Sequence, residues 1–330
     1  MNLSVDYLGL KLAHPIIPGA SPLCDNLDSV RRLEDAGAPA IVMHSLFEEQ
    51  ILQEGMAHHL FRESVSESFA EAASFFPAPA EFALGPEQYL EQIGRIKQAV
   101  AIPVIASLNG SHPGGWVDYA KRIQQAGAAA LELNIYFLPS DPAVSGADVE
   151  ARVIEVVRSV KSSVTIPVAV KLSPFYSSLP QLAAQLHGLG VDALILFNRF
   201  HQPDFDVENL EVRAPLELST PAELQMRLHW TAILAGRIPV PLVTSGGIHD
   251  FTDVVKALMA GATAVQVVSC LLLRGPEYLA TLVRELSQFM EEQDYRSLEQ
   301  LRGCLSLRHC PNPDAFERTN YLRTLQLWRA

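Results

Sequence analysis

The chain has 330 residues, 48% of them hydrophobic and 19% charged, with a formal net charge of −12. That length admits one large domain or two ordinary ones, and the apolar share predicts a substantial core rather than a disordered chain. An acidic chain whose Lys and Arg are scattered, with no basic patch, repels phosphates, which argues against a nucleic-acid binder.

Residues 1–12 lack the basic leader and apolar stretch of a signal peptide, and the longest apolar runs fall short of the ~20 residues of a membrane helix. Cys24, Cys270, Cys304 and Cys310 form neither a CxxC pair nor an iron–sulfur spacing. Isolated cysteines in such a chain predict free thiols, no metal centre and a cytoplasmic protein.

In chain order, His14-Pro15-Ile16 opens a first apolar run at 16–21. An amphipathic segment, 28–36, closes on Ala36-Gly37-Ala38 and leads into a second run at 40–46. The interval 47–85 is longer than its counterparts and carries Phe61, Phe69, Phe75, Phe76 and Phe82. It reads as a lid, a subunit contact or a decorative hairpin. Ile102-Pro103-Val104 opens a third run at 103–109, and segment 116–126 ends on Ala126-Gly127-Ala128 before a fourth at 130–136. Ile166-Pro167-Val168 opens a fifth at 167–173, and Gly188-Leu189-Gly190 precedes a sixth at 193–199. Ile238-Pro239-Val240 leads to a seventh at 241–247, and Ala260-Gly261-Ala262 precedes the last at 264–270. From Gly275 onward a closing helix is succeeded, over 294–330, by a helical tail with Leu298, Leu301, Leu305 and Leu307 as its apolar side.

Glycine after a helical segment is the expected C-cap, and proline tolerates a strand's first position because its missing N–H is not needed there. Apolar runs separated by helices describe a parallel sheet buried on both faces. Eight such units predict an α/β fold, a (β/α)8 TIM barrel in one domain, with an insertion after strand 2 and a C-terminal helical extension; a doubly wound open sheet is the alternative.

In a barrel the chemistry sits at the C-terminal ends of strands. Those ends carry Ala20-Ser21, His44-Ser45, Asn109, Asn134, Lys171, Asn198-Arg199, Ser245-Gly246-Gly247 and Ser269. A buried polar group must find a partner, and so many at equivalent positions predict a ligand site. Gly246-Gly247 after the seventh strand, completed by Ser269 after the eighth, is the phosphate candidate. Lys171, between apolar neighbours, points a cation into the mouth. It has three readings: a charge beside a flavin's N1 edge, an ion pair with a nearby carboxylate, or a Schiff-base lysine. Its replacement by Ala is expected to slow reduction and leave the fold intact.

These residues resemble the dihydroorotate dehydrogenase family, chiefly its soluble class. The resemblance runs along nearly the whole chain and is strongest in Leu131-Glu-Leu-Asn134, Val170-Lys-Leu172, Ser245-Gly-Gly-Ile248 through Gly261-Ala-Thr263, Gln266 and Gly275-Pro276. It implies FMN in the barrel mouth. Gly246, Gly247 and Ser269 would hold its phosphate, with Ser245 beside them. Lys171 would lie by N1, with Ala20, Ser21 and Ser45 along the ring and Asn109, Asn134 and Asn198 near ring and substrate. It also suggests a homodimer.

The substrate end departs from the family pattern. Where the family reads Leu-Ser-Cys-Pro-Asn after Glu-Leu-Asn, this chain reads Ile135-Tyr136-Phe137-Leu138-Pro139. Phe137 thus takes the base position, and phenylalanine accepts no proton. Pro139 replaces a pyrimidine-gripping Asn, His44 replaces a Lys, Arg199 replaces a small hydroxyl residue, and the loop 75–84 has no Asn. Tyr136, His44 and Ser140 are the substitute candidates for the proton, and His44 with Arg199 suggests an anionic substrate. Three functions are compatible with this pattern. The first is an FMN oxidoreductase acting on another small anionic substrate. The second is dihydroorotate oxidation with a substitute base, and the third a non-catalytic flavin-holding subunit. Any electron partner (a ferredoxin, a quinone or fumarate) would be external.

Overall fold

The computed structural model describes residues 2–51, 85–110, 116–199, 203–213, 217–316 and 319–327. The chain starts with a hairpin, β1 (Val5–Tyr7) and β2 (Leu10–Leu12), which the sequence did not announce. Leu8 and Gly9 between them have φ of 53° and 69°, the two left-handed residues of a type I′ turn. The first six apolar runs are β3 (Ile16–Pro18), β4 (Ile41–Phe47), β5 (Val104–Gly110), β6 (Ala130–Ile135), β7 (Val168–Leu172) and β8 (Ala193–Leu196). A second unanticipated hairpin, β9 (Asp204–Asp206) with β10 (Glu211–Arg213), precedes the last two runs, β11 (Leu242–Ser245) and β12 (Ala264–Val267).

The eight runs form one parallel sheet in the order β3-β12-β11-β8-β7-β6-β5-β4, and β3 and β4 adjoin at the remaining seam. The result is a nearly closed (β/α)8 TIM barrel. Prolines start half of its strands: the carbonyls of Pro15, Pro103, Pro167 and Pro241 accept from the N–H groups of Val265, Ile41, Leu131 and Leu194 at 2.8 to 2.9 Å. Each proline thus supplies the acceptor the ladder needs without the donor it lacks. After the third Ile-Pro-Val the strand-opening residue is Pro241, not Pro239. The Ala-Gly-Ala signals work as read: Gly37 and Gly127 have φ of 91° and 94°, and the next alanine N–H groups reach back to Leu33 and Ile123 carbonyls.

Outward strand residues such as Leu131, Leu133, Val170 and Leu172 are buried beneath the helices, and helix Gly146–Ser163 turns Val153, Val156, Val157 and Val160 onto them. The N-terminal hairpin lies against the barrel floor, where burial first and the charge of Glu132 second push the Tyr7 phenol well up. The tail packs on the barrel as expected only in part. Leu298, Leu301 and Leu307 are buried, but Leu305 is 53% exposed, and the helix there is only Leu298–Leu301. Backbone hydrogen bonds fix this stretch: Gly303, Leu305 and Leu307 donate to the carbonyls of Leu258, Met259 and Ala232. Cys24 and Cys270 are buried free thiols, whereas Cys304 and Cys310 are half-buried. No described helix is long and apolar enough to cross a membrane. Most of the 47–85 insertion, including 75–84, lies outside the described residues.

Candidate functional site

Strand alternation decides which side chains enter the barrel. Register pairs Ser107 with Glu132, Asn109 with Asn134, and Asn134 with Lys171, so these residues of β5, β6 and β7 share the inner face. Gln266 of β12 reaches the same space. Lys171 Nζ donates to Glu132 Oε1 at 3.0 Å and to Gln266 Oε1 at 3.1 Å, and Gln266 Nε2 donates to Glu132 Oε2 at 2.5 Å. The triad is buried, with Lys171 8%, Glu132 1% and Gln266 1% exposed. Of the sequence readings of Lys171, the inward orientation and the carboxylate ion pair both hold. Two of the three ammonium N–H groups are engaged, leaving one for a ligand. The expectation that Lys171→Ala spares the fold took no account of this triad. Removing the cation leaves Glu132 buried and uncompensated, which costs about 3–5 kcal/mol.

One strand position above Glu132 on the same face is Asn134, whose buried Oδ1 has no hydrogen-bond partner among the described residues. Asn109 is buried beside it.

Around β11 and β12 lies the anion candidate. Gly246 and Gly247 have φ of 94° and 77°, and a Cβ on Gly247 would stand 2.6 Å from the Leu224 backbone nitrogen. Gly247 N–H donates to Ser219 Oγ at 3.2 Å, and that hydroxyl lies 2.8 Å from Ser269 Oγ. Ser269 Oγ also accepts from Ser219 N–H, and His249 Nε2 lies 2.6 Å from the Ser219 carbonyl. Behind this cradle Arg227 is 3% exposed and donates to the Ser245 and Glu223 carbonyls at 2.5 and 2.6 Å. Burial first lowers the basicity of its guanidinium, Glu223 opposes that, and Arg199 lowers it further.

On the other side, β4 carries a register shift between Val42 and Ser45, a bulge of the kind that re-aims side chains. His44 is at that bulge. Its Nδ1 is 2.5 Å from Asp25 Oδ1, an ion-pair distance without hydrogen-bond alignment, and its ring meets Tyr89 edge-on at 5.4 Å. The Tyr89 hydroxyl donates to the Ser107 carbonyl and accepts from the Ser107 N–H, and Ser107 Oγ lies 2.8 Å from Ser45 Oγ. Burial pushes the Tyr89 phenol far up, so it stays protonated.

The remaining candidates scatter. Ser21 is buried, Ala20, Tyr136, Asn198 and Arg199 are half-buried, and Ser140 is exposed on the loop after β6. The backbone N–H of Asn198 donates to Leu172 at 2.8 Å, tying the end of β8 to β7. Phe137 turns to helix Gly146–Ser163, its ring 4.1 Å beneath the Arg152 guanidinium. It also lines an apolar cavity of about 420 Å³ with Val149, Val153 and Tyr176. Sequence reasoning missed Asp25, Ser219 and Arg227. Only Arg227 carried a signal: it occupies the buried stripe that holds Leu224, Thr231 and Leu234.

Known proteins resemble this chain in sequence. A profile described as Dihydroorotate dehydrogenase matches residues 82–290. Dihydroorotate dehydrogenase B (NAD(+)), catalytic subunit, of Thermoplasma acidophilum is 26% identical over 92% of this chain and 98% of its own length. The putative dihydroorotate dehydrogenase A (fumarate) of Aeropyrum pernix is 27% identical over 92% and 97%. The catalytic subunit of dihydroorotate dehydrogenase B (NAD(+)) from Citrifermentans bemidjiense is 32% identical over 68% and 75%. With the barrel, the inward lysine and a match across most of the chain, this protein belongs to the dihydroorotate dehydrogenase family of oxidoreductases.

Proposed function

We propose that the chain is an FMN-dependent oxidoreductase acting on a small anionic substrate other than dihydroorotate. When bound, FMN supplies the hydride chemistry. The observation that carries this reading is the orphaned Asn134 Oδ1 beside Lys171. An unsatisfied buried acceptor costs roughly 1–3 kcal/mol, which a donor on a ligand in the barrel mouth recovers. The residues fit the group. Ser219, Gly246, Gly247 and Ser269, backed by Arg227 and Arg199, would hold the phosphate. Asn109, Asn134 and Lys171 would meet the polar edge of the ring, with Ala20, Ser21, Ser45 and Asn198 around it. Glu132 and Gln266 hold the ammonium of Lys171 in place, and their burial keeps water from it.

The substrate reading rests on Phe137. It accepts no proton and is occupied by Arg152, so the family's base has no counterpart at that position. His44 is the strongest replacement: Asp25 lies at its Nδ1, leaving Nε2 for a proton. Tyr136 and Ser140 rank below it, because phenols and alcohols are ordinarily protonated at neutral pH and accept a proton poorly. Electrons pass to an acceptor outside the chain, of the kind named for the relatives.

The purified protein is expected to be yellow and to release FMN on denaturation. Anaerobic dihydroorotate should leave the flavin oxidised; rapid bleaching would refute the substrate reading. Whichever compound reduces it, His44→Gln should slow that reduction by about 10²-fold with flavin content unchanged.

A further inference from the structure

The cavity beside Phe137 lies outside the polar site. Phe137, Leu138 and Pro139 form one wall after β6, and Val149 and Val153 of helix Gly146–Ser163 form another. Phe175 and Tyr176, after β7, close it. Both loops leave the C-terminal ends of the strands that carry Asn134 and Lys171, so the cavity borders the barrel mouth. Its volume, about 420 Å³, is within the usual range of small-molecule sites. Leu138 is 57% exposed and Phe175 62% exposed at its rim, an apolar surface open to solvent next to a site for chemistry.

One charge borders this cavity without lining it. Arg152 stacks on Phe137, and among the described residues no carboxylate lies within ion-pair distance of it. A stacked guanidinium keeps its in-plane N–H donors free for a carboxylate. Asp148 and Glu155, four before and three after Arg152 on the same helix, share its face, but neither is within ion-pair distance of it, so the Arg152 edge remains the anion-accepting one.

We propose that this cavity is the substrate's side-chain pocket, and that the substrate is a carboxylate bearing an aromatic or branched alkyl group. The apolar group fills the space between Phe137 and Val149, and the carboxylate meets Arg152. The inference rests on the proposed oxidoreductase reading for its catalytic meaning, but binding tests it separately.

The test is calorimetric titration of the flavin-loaded protein with trans-cinnamate, cinnamamide and orotate, with flavin content measured in parallel. Cinnamate should bind more tightly than orotate. Arg152→Gln should weaken cinnamate about tenfold and leave cinnamamide unchanged. Val149→Trp, which fills the cavity from a half-buried position, should weaken both by about tenfold or more with flavin content intact. If that variant does not fold, Leu138→Trp at the exposed rim makes the same test. Orotate binding more tightly than cinnamate, or cavity-filling variants that bind cinnamate like the parent, would overturn the proposal. A colourless protein that still binds cinnamate in this pattern would refute the flavin reading and leave the pocket standing.

Discussion

The two halves of the barrel mouth treat buried polar atoms differently. Across β7, β11 and β12, Lys171, Gln266, Ser245, Ser269 and Arg227 all find partners within the chain. On the side of β4, β5 and β6, hydrogen bonding is incomplete. Among the described residues, Trp116 Nε1 and Asn134 Oδ1 have no hydrogen-bond partner, and Asp25 Oδ1 and His44 Nδ1 meet at 2.5 Å without hydrogen-bond alignment; all four lie there. Since an unmet buried group is costly, a chain tolerates it where a ligand or a moving proton completes it. The first half meets its hydrogen-bonding needs within the chain; the second leaves buried atoms without aligned partners.

The sharpest way to break this contrast is to remove one member of the satisfied half. Lys171→Ala should lower stability by about 3–5 kcal/mol in urea unfolding, because it strands the Glu132 carboxylate. Adding Glu132→Gln should recover much of that loss. A single variant as stable as the parent would mean that the triad is not a closed unit.

A second effect tests whether burial, as distinct from hydrogen bonding, is equal on both sides. Burial, with Asp25 adding to it, pushes the Cys24 thiol near β4 up to about 12, and burial pushes Cys270 after β12 up to about 11. Burial likewise raises the Tyr176 phenol to about 12. These groups stay protonated in the fold but ionise in the unfolded chain from roughly pH 8.5 to 10, so unfolding releases protons. The contribution is fully present below that range and is lost as pH rises toward 11 to 12, at about 1.4 kcal/mol per pH unit per group. Unfolding measured between about pH 8 and 11 should show the decline, and Cys24→Ala or Cys270→Ala should each flatten it.

The smallest effect sharpens the other half. Asn134→Leu removes an acceptor that has no donor, so flavin-free stability should change by less than about 1 kcal/mol. Flavin retention, in contrast, should fall about tenfold. A large stability loss would show that Asn134 is already satisfied.

Much of this was legible in the sequence because it is local. Proline before a strand and glycine after a helix report their own backbone needs, so all eight barrel strands could be read. Lys171 and Asn134 stood out as polar ends of apolar runs. Glu132 was visible only as part of a family motif, since nothing nearby announces that its partners are Lys171 and Gln266, 39 and 134 residues away. Asp25 was hidden for the same reason, as its role arises from a bulge in β4. The hairpin β9–β10 escaped because its strands are three residues each and exposed, with no buried face to impose a pattern. Leu305 fitted an apolar helical stripe, but the helix stops at Leu301 and a backbone bond to Met259 sets the path of the chain beyond it.

The prolines that open β3, β5, β7 and the strand at Leu242 act as register stops. Sliding any of these strands by one residue would carry a ring without a proton into a slot that must donate, and would turn every inward side chain to the helix layer. Lysine, asparagine and glycine positions at the mouth are thus indexed from the opposite rim, by residues that never approach a ligand.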